Sequence, residues 1–176
     1  MSDLPHRLRA AIRDIPDFPK PGILFRDITT LLVQPLLMRE GLEALWAPFD
    51  GEADVIAGVE SRGFILGATL AMMRDLPFVP LRKPGKLPAA TYREDYSLEY
   101  GADSLEVHQG ALAPGARTLV IDDLLATGGT ASAAVRLVER SGAVVVGLGF
   151  LAELEFLNGR DRLRGRRVHS LVRYAD

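Results

Sequence analysis

The chain has 176 residues, 48% of them hydrophobic and 25% charged, which suits one domain with a sizeable core rather than several small ones. A net charge of −2 offers no global field to gather nucleic acid or an acidic membrane, and the absence of cysteine excludes a disulfide framework and thiolate metal sites. No apolar run approaches the roughly 18 residues of a membrane span, and the first residues lack an apolar signal core, so the expected compartment is the cytoplasm.

Leu4, Leu8, Ile12 and Ile15 fall on one stripe and predict a helix over residues 3–15. Pro16, Pro19, Pro21 and Gly22 then break regular structure, and residues 23–28 read as a short extended piece. Pro35 opens a second helix running to about Phe49, with Leu37, Leu42, Leu45, Trp46 and Phe49 as its apolar face. From residue 53 strands and helices alternate: a strand at 54–59, a turn at 60–63, an apolar helix at 64–74 and a strand at 77–81. Residues 82–104 are polar and Tyr-rich with no clear period, the pattern of a flexible functional loop. A short strand at 105–108 follows. Residues 118–121 form a buried strand, and the helix after it carries Ala131, Ala134, Val135 and Val138 on one face and stops at Gly142. Residues 143–151 predict a buried strand, 154–164 a short helix or turn, and 168–174 a last strand. The alternation implies an α/β fold, a parallel sheet flanked by helices, with ligands at the carboxyl ends of its strands. The turns at 60–63, 82–86 and 122–130 fall there. Residues 1–34 form a small N-terminal part of the same domain, ahead of a core at 35–176.

The richest chemistry lies at 120–130, Val-Ile-Asp-Asp-Leu-Leu-Ala-Thr-Gly-Gly-Thr. A strand, a Gly-rich turn (Ala126, Thr127, Gly128, Gly129, Thr130) and a helix start make an anion cradle, because free amides and the positive end of the helix dipole converge there. Asp122 and Asp123 would repel a bare phosphate. They make sense if the ligand also carries a vicinal diol that donates to carboxylates, with a magnesium ion relieving the repulsion. A ribose 5-phosphate meets both needs. No lysine follows Gly129, so this is not a P-loop. A tight strand-to-helix turn capped by an acid pair is the alternative.

Glu60, Ser61, Arg62 and Gly63 form a second turn whose amides and guanidinium suit an anion, or else a capped turn with a surface arginine. Arg82, Lys83 and Lys86 put three cations in five residues, either a solvated basic loop or a clamp on a multiply charged leaving group. Tyr96 to Gly101 carries Glu99, readable as an acid delivered by loop closure, as part of a β-hairpin, or as both. Leu24, Phe25 and Arg26 could read the edge and face of a planar ring, while Asp27 could cap the turn at Thr29 and Thr30. The five arginines between 160 and 167 suggest a solvated face or a partner contact, and His6, His108 and His169 show no metal-ligand spacing.

Together, Phe-Pro-Lys-Pro-Gly-Ile-Leu-Phe-Arg-Asp-Ile at 18–28, Glu-Ser-Arg-Gly-Phe at 60–64, Arg-Lys-Pro-Gly-Lys-Leu-Pro at 82–88, Tyr-Ser-Leu-Glu-Tyr-Gly at 96–101 and the motif at 120–130 resemble the adenine phosphoribosyltransferase family of type I phosphoribosyltransferases. Family members often have Asp where Glu60 stands. The resemblance implies transfer of 5-phosphoribosyl from 5-phosphoribosyl-1-pyrophosphate (PRPP) to adenine, with magnesium held mainly by PRPP and water. It implies a homodimer with an N-terminal hood over residues 1–34, a flexible loop at about 82–104, and a peptide bond before Ser61 that is often cis. Ala126 to Thr130 would hold the 5-phosphate, and Asp122 and Asp123 the ribose hydroxyls. Glu60, Ser61 and Arg62 would bind pyrophosphate, with Arg82, Lys83 and Lys86 acting in their own site or a partner's. Leu24, Phe25, Arg26 and Leu154 would hold adenine, and Glu99 and Arg62 would be catalytic. The residues alone leave open a phosphoribosyltransferase for xanthine, hypoxanthine or guanine, and a PRPP-sensing regulator on the same fold.

Overall fold

The computed structural model describes residues 3–98 and 101–175. The chain divides into two compact units, Met1–Ala44 and Leu45–Asp176.

In the first unit, helix α1 (Leu4–Ala11) starts at Asp3, whose side chain accepts the His6 amide at 3.1 Å. The helix is shorter than its apolar stripe predicts. At Ile12 the backbone turns extended, and β1 (Arg13–Ile15) pairs antiparallel with β2 (Phe25–Asp27). Cross-strand ion pairs, Arg13–Asp27 at 2.5 Å and Arg26–Asp14 at 2.6 Å, favour this ribbon over another helical turn. Asp27 also caps the short helix α2 (Thr29–Leu32), accepting the Thr29 amide at 2.9 Å. The Thr29 hydroxyl and amide, then Arg13, hold the Asp27 carboxyl at about 2. Helix α3 (Pro35–Trp46) opens on its proline as expected.

The second unit opens with a tight turn at Ala47–Phe49, where Pro48 ends the α-helical geometry. Then come β3 (Val55–Val59), α4 (Arg62–Met73), β4 (Phe78–Leu81), β5 (Thr91–Leu98), β6 (Gly101–His108), β7 (Arg117–Leu125), α5 (Gly129–Arg140), β8 (Val144–Leu154) and β9 (Val168–Tyr174). Five strands form a parallel sheet in the order β4-β3-β7-β8-β9. All their carboxyl ends therefore lie along one edge. The five-residue strand β3 is buried throughout, as a parallel strand covered on both faces must be. Val55, Ala57 and Val59 join Val120, Leu148 and Phe150 and the α5 residues Ala133, Ala134, Leu137 and Val138 in one core.

Residues 82–104 are only in part the periodless loop their composition predicts: 82–90 are irregular, but the segment from Thr91 is paired strand. β5 and β6 form an antiparallel pair from Thr91 opposite His108 to Leu98 opposite Gly101. Tyr92, Glu94 and Tyr96 turn inward along β5, so a charged residue breaks the apolar alternation that would betray the strand. Arg136 and Arg140 of α5 answer that charge, donating to Glu94 at 3.2 and 3.3 Å.

Residues 154–164 fold as two short 3-10 turns, Glu155–Leu157 and Gly159–Leu163. Four arginines of the C-terminal cluster find partners within this unit: Arg160 with Glu153, Arg164 with Asp161, Arg166 with Glu139 and Arg167 with Glu52. Among the described residues, no helix is long and apolar enough to cross a membrane.

Candidate active site

Three adjacent strands deliver three chemical turns to one edge of the sheet. β7 ends in Asp122, Asp123, Leu124 and Leu125, and the chain then passes through Ala126, Thr127 and Gly128 into α5. Gly128 has φ +79°, a left-handed conformation that glycine adopts without a steric penalty. The first amides of α5 have no partner within the helix, so they and the helix dipole face the loop. A cavity of about 130 Å³ opens here, lined by Asp122, Leu124 and residues 125–131. Ala126, Thr127, Gly128, Gly129 and Thr130 thus share one concavity with Asp122 at its margin.

The two acids are unlike surface aspartates. Asp123 is 6% exposed and Asp122 is half-buried, and the Asp122 Oδ1 accepts the Asp123 amide at 2.8 Å. Burial first, and then the Asp123 charge, push the Asp122 carboxyl well above the usual carboxylate range. Burial raises Asp123 as well, against the opposing pull of Arg62. Arg62 supplies that pull directly: its Nε lies 2.8 Å from Asp123 Oδ2. Arg62 begins α4, and the next residue explains its reach. A Cβ added at Gly63 would stand 2.8 Å from the Ile121 carbonyl and 2.9 Å from Asp122 Oδ1. Only glycine lets the start of α4 settle against the acid strand.

The peptide before Ser61 is cis. The Glu60 carboxylate accepts from Arg82 Nε at 3.2 Å and from the Lys83 amide at 2.8 Å. Burial alone would raise that carboxyl, but the Lys83 amide and then the Arg82 guanidinium outweigh it and hold it below the usual range. Glu60 therefore tethers the 82–86 turn to the end of β3. Arg82 also pairs with β6 through both its backbone groups and those of Glu106, at 2.8 and 2.7 Å. Lys83 Nζ donates to Asp103 and to the Tyr96 hydroxyl, the latter at 2.9 Å. Burial would lower the Lys83 ammonium; the bonds to Asp103 and Tyr96 reverse this and raise it. Lys86 is exposed.

Asp103, Tyr96 and Glu106 escape a reading along the chain because each meets the 82–86 turn from a later strand. Gly159 and the Glu153–Arg160 pair escape it too, although Gly159 sits against the 126–128 backbone. In the first unit, Arg26 is 8% exposed, Leu24 is 44% exposed, and Phe25 meets Phe18 edge-on at 5.2 Å. Leu154 closes β8. Glu99 lies outside the described residues.

The Phosphoribosyl transferase domain family matches residues 37–169. An adenine phosphoribosyltransferase of Gloeobacter violaceus is 57% identical over 170 residues, covering 95% of this chain and 99% of that one. The crystal structure of adenine phosphoribosyltransferase from Rhodothermus marinus has a TM-score of 0.93 at 52% identity, covering 97% of this chain and 98% of that one. The Saccharomyces cerevisiae adenine phosphoribosyltransferase, solved with adenine and D-2,5-dideoxy-2,5-imino-altritol 1,6-bisphosphate, has a TM-score of 0.90 at 38% identity, covering 96% and 98%.

Proposed function

The chain belongs to the adenine phosphoribosyltransferases of the phosphoribosyltransferase family, and from that membership we propose how its residues share the reaction. The enzyme transfers 5-phosphoribosyl from PRPP to adenine, giving AMP and pyrophosphate, a step of purine salvage. The other purine bases and the sensing regulator left open by the residues give way to this activity.

The observation that carries the assignment of roles is the desolvated acid pair beside a glycine-turn cavity, with Arg62 paired to Asp123. Ala126 to Thr130 receive the 5-phosphate through amides and the Thr127 and Thr130 hydroxyls. Asp122 and Asp123 accept hydrogen bonds from the ribose 2- and 3-hydroxyls, which stand in for the solvation the carboxyls lose by burial. Arg62 then turns from Asp123 toward pyrophosphate, presenting its fork of donors from the start of α4. Glu60 and Ser61 shape that turn, and Arg82, Lys83 and Lys86 add positive charge beside it, in this subunit's site or a partner's.

Displacement at the anomeric carbon puts positive charge on the sugar and negative charge on the departing pyrophosphate, so cations aimed at the leaving group lower the barrier. Magnesium bound with PRPP would neutralise part of the pyrophosphate charge, and the oxygen-only donors Asp122 and Asp123 suit a hard cation's hydration shell. On the family pattern, Leu24, Phe25, Arg26 and Leu154 are the residues assigned to adenine. Glu99 assists proton movement on the purine. A cytoplasmic homodimer completes the reading.

Replacing both acids by asparagine tests it. Asp122→Asn with Asp123→Asn is expected to lose roughly 100-fold or more in kcat/KM, since hydrogen bonds to charged groups are each worth about 1.5–3 kcal/mol. The variant should fold as well as the parent, because two buried charges are removed. Unchanged turnover in a folded variant would take the acids out of the mechanism.

A further inference from the structure

We infer that Gly159 and Arg160 are positioning residues, a strut that holds the 126–130 loop in the shape that receives the 5-phosphate. The inference rests on the phosphate reading of that loop given above. The turn after β8 meets the loop backbone against backbone. A Cβ added at Gly159 would run into the Ala126 carbonyl oxygen and stand 3.1 Å from the Gly128 nitrogen. A Cβ added at Gly128 would run into the Gly159 carbonyl in turn. Two glycines thus face one another at the base of the loop, with no room for a methyl group on either.

Such a contact positions the loop only if Gly159 is itself held, and the next residue holds it. Arg160 Nε and Nη2 donate to the two carboxylate oxygens of Glu153 at 2.6 and 2.7 Å, and Nη1 donates to the Val168 carbonyl at 3.2 Å. Glu153 is 3% exposed, and in the sheet it stands opposite Leu125, the residue that precedes the loop. One buried acid therefore fixes the loop twice, through the strand pairing at Leu125 and through Arg160 to Gly159. The arrangement requires arginine, since a lysine ammonium cannot serve both oxygens and a carbonyl from a planar fork. Arg164–Asp161 in the same turn provides a contrast: at 3.0 Å, with side chains 81% and 65% exposed, it is an ordinary surface pair.

The test is the affinity of the full-length enzyme for AMP divided by its affinity for adenosine, measured by inhibition or calorimetry. The ratio reads the 5-phosphate contribution alone, and a general loss of folded protein cancels from it. Arg160→Lys and Gly159→Ala are each expected to cut the ratio about tenfold, or ~1.4 kcal/mol. Arg164→Ala should keep the parent's ratio. Thr127→Val with Thr130→Val should lower it, which checks the loop itself. If the threonine variant loses the AMP preference while Arg160→Lys keeps it, the strut is wrong and the phosphate reading stands. If the threonine variant keeps it as well, the reading beneath the strut is wrong. An equal fall in Arg164→Ala also overturns the strut. Should Gly159→Ala fail to fold, Arg160→Lys decides alone.

Discussion

Asp122 and Asp123 resist ionising together, because each is desolvated and each repels the other's charge. A carboxyl whose folded value is raised binds its proton more tightly folded than unfolded, so stability falls as pH rises from the ordinary aspartate value toward the raised one. Asp122→Asn removes that penalty. Its thermal midpoint relative to the parent, without ligand, should climb as pH rises from about 4 toward neutrality. A difference that stays flat across the series would mean Asp122 ionises at its ordinary value. The acids are legible in sequence because they are neighbours, set between an apolar strand and a glycine turn. The ion pairs of the neighbouring 82–86 turn are less so. Lys83 meets Asp103 20 positions away and Arg82 meets Glu60 22 positions away, contacts that only the strand order β4-β3 and the hairpin create.

At the level of elements, local pattern reveals β3, α4, β7, α5 and β8, whose apolar runs need nothing distant to explain them. It fails where pairing overrides propensity. The end of the predicted first helix becomes β1 because β2 lies opposite it, and the hairpin, one reading of Tyr96 to Gly101, runs back to Thr91 unseen because Glu94 points inward to α5. That latch should show in exchange. Arg140 donates to the Arg93 carbonyl at 2.9 Å and to Glu94, and its guanidinium lies 5.6 Å from the Tyr92 ring centre. Arg140→Ala should therefore raise hydrogen exchange in β5 and β6 by a few-fold while the β7 and β8 amides keep their protection. Equal exchange in the hairpin would show that Arg140 does not hold it against α5. A different staple ties the amino ends of β3 and β7, where Asp54 accepts from Arg117 Nη2 at 2.6 Å and from the Arg117 amide at 3.0 Å. The Arg117 guanidinium and then its amide hold the Asp54 carboxyl at about 2. Its value is lowered on folding, so this support is whole above about pH 4 and vanishes as pH falls toward 2. The parent's thermal advantage over Asp54→Asn should follow that course, with activity at neutral pH unchanged, since the staple lies at the far ends of the strands from the site. An advantage that persists at pH 2 would assign the support to packing instead.

For the molecule as a whole, binding and folding are linked through whichever unit carries the site. Every residue proposed to hold the ribose and its phosphate lies in Leu45–Asp176, and the same residues end the strands of its central sheet. A ligand held there binds the folded sheet and has no site on the unfolded chain. Ribose 5-phosphate at 100 times its dissociation constant adds about 2.7 kcal/mol of stability. For a chain of this length that is a rise of about 5–10 °C in Tm. Adenine is not needed for the shift, because the diol and the phosphate are the groups recognised. In the paired variant Asp122→Asn with Asp123→Asn, ribose 5-phosphate at the same concentration should move Tm by far less, while inorganic phosphate should stabilise the variant at least as well as the parent, since the acids repel a bare phosphate. The comparison separates the two halves of the motif, since the glycine turn alone can take phosphate and the acids alone can tell a pentose from it. Equal shifts with ribose 5-phosphate in parent and variant would leave the acids without a sugar to hold.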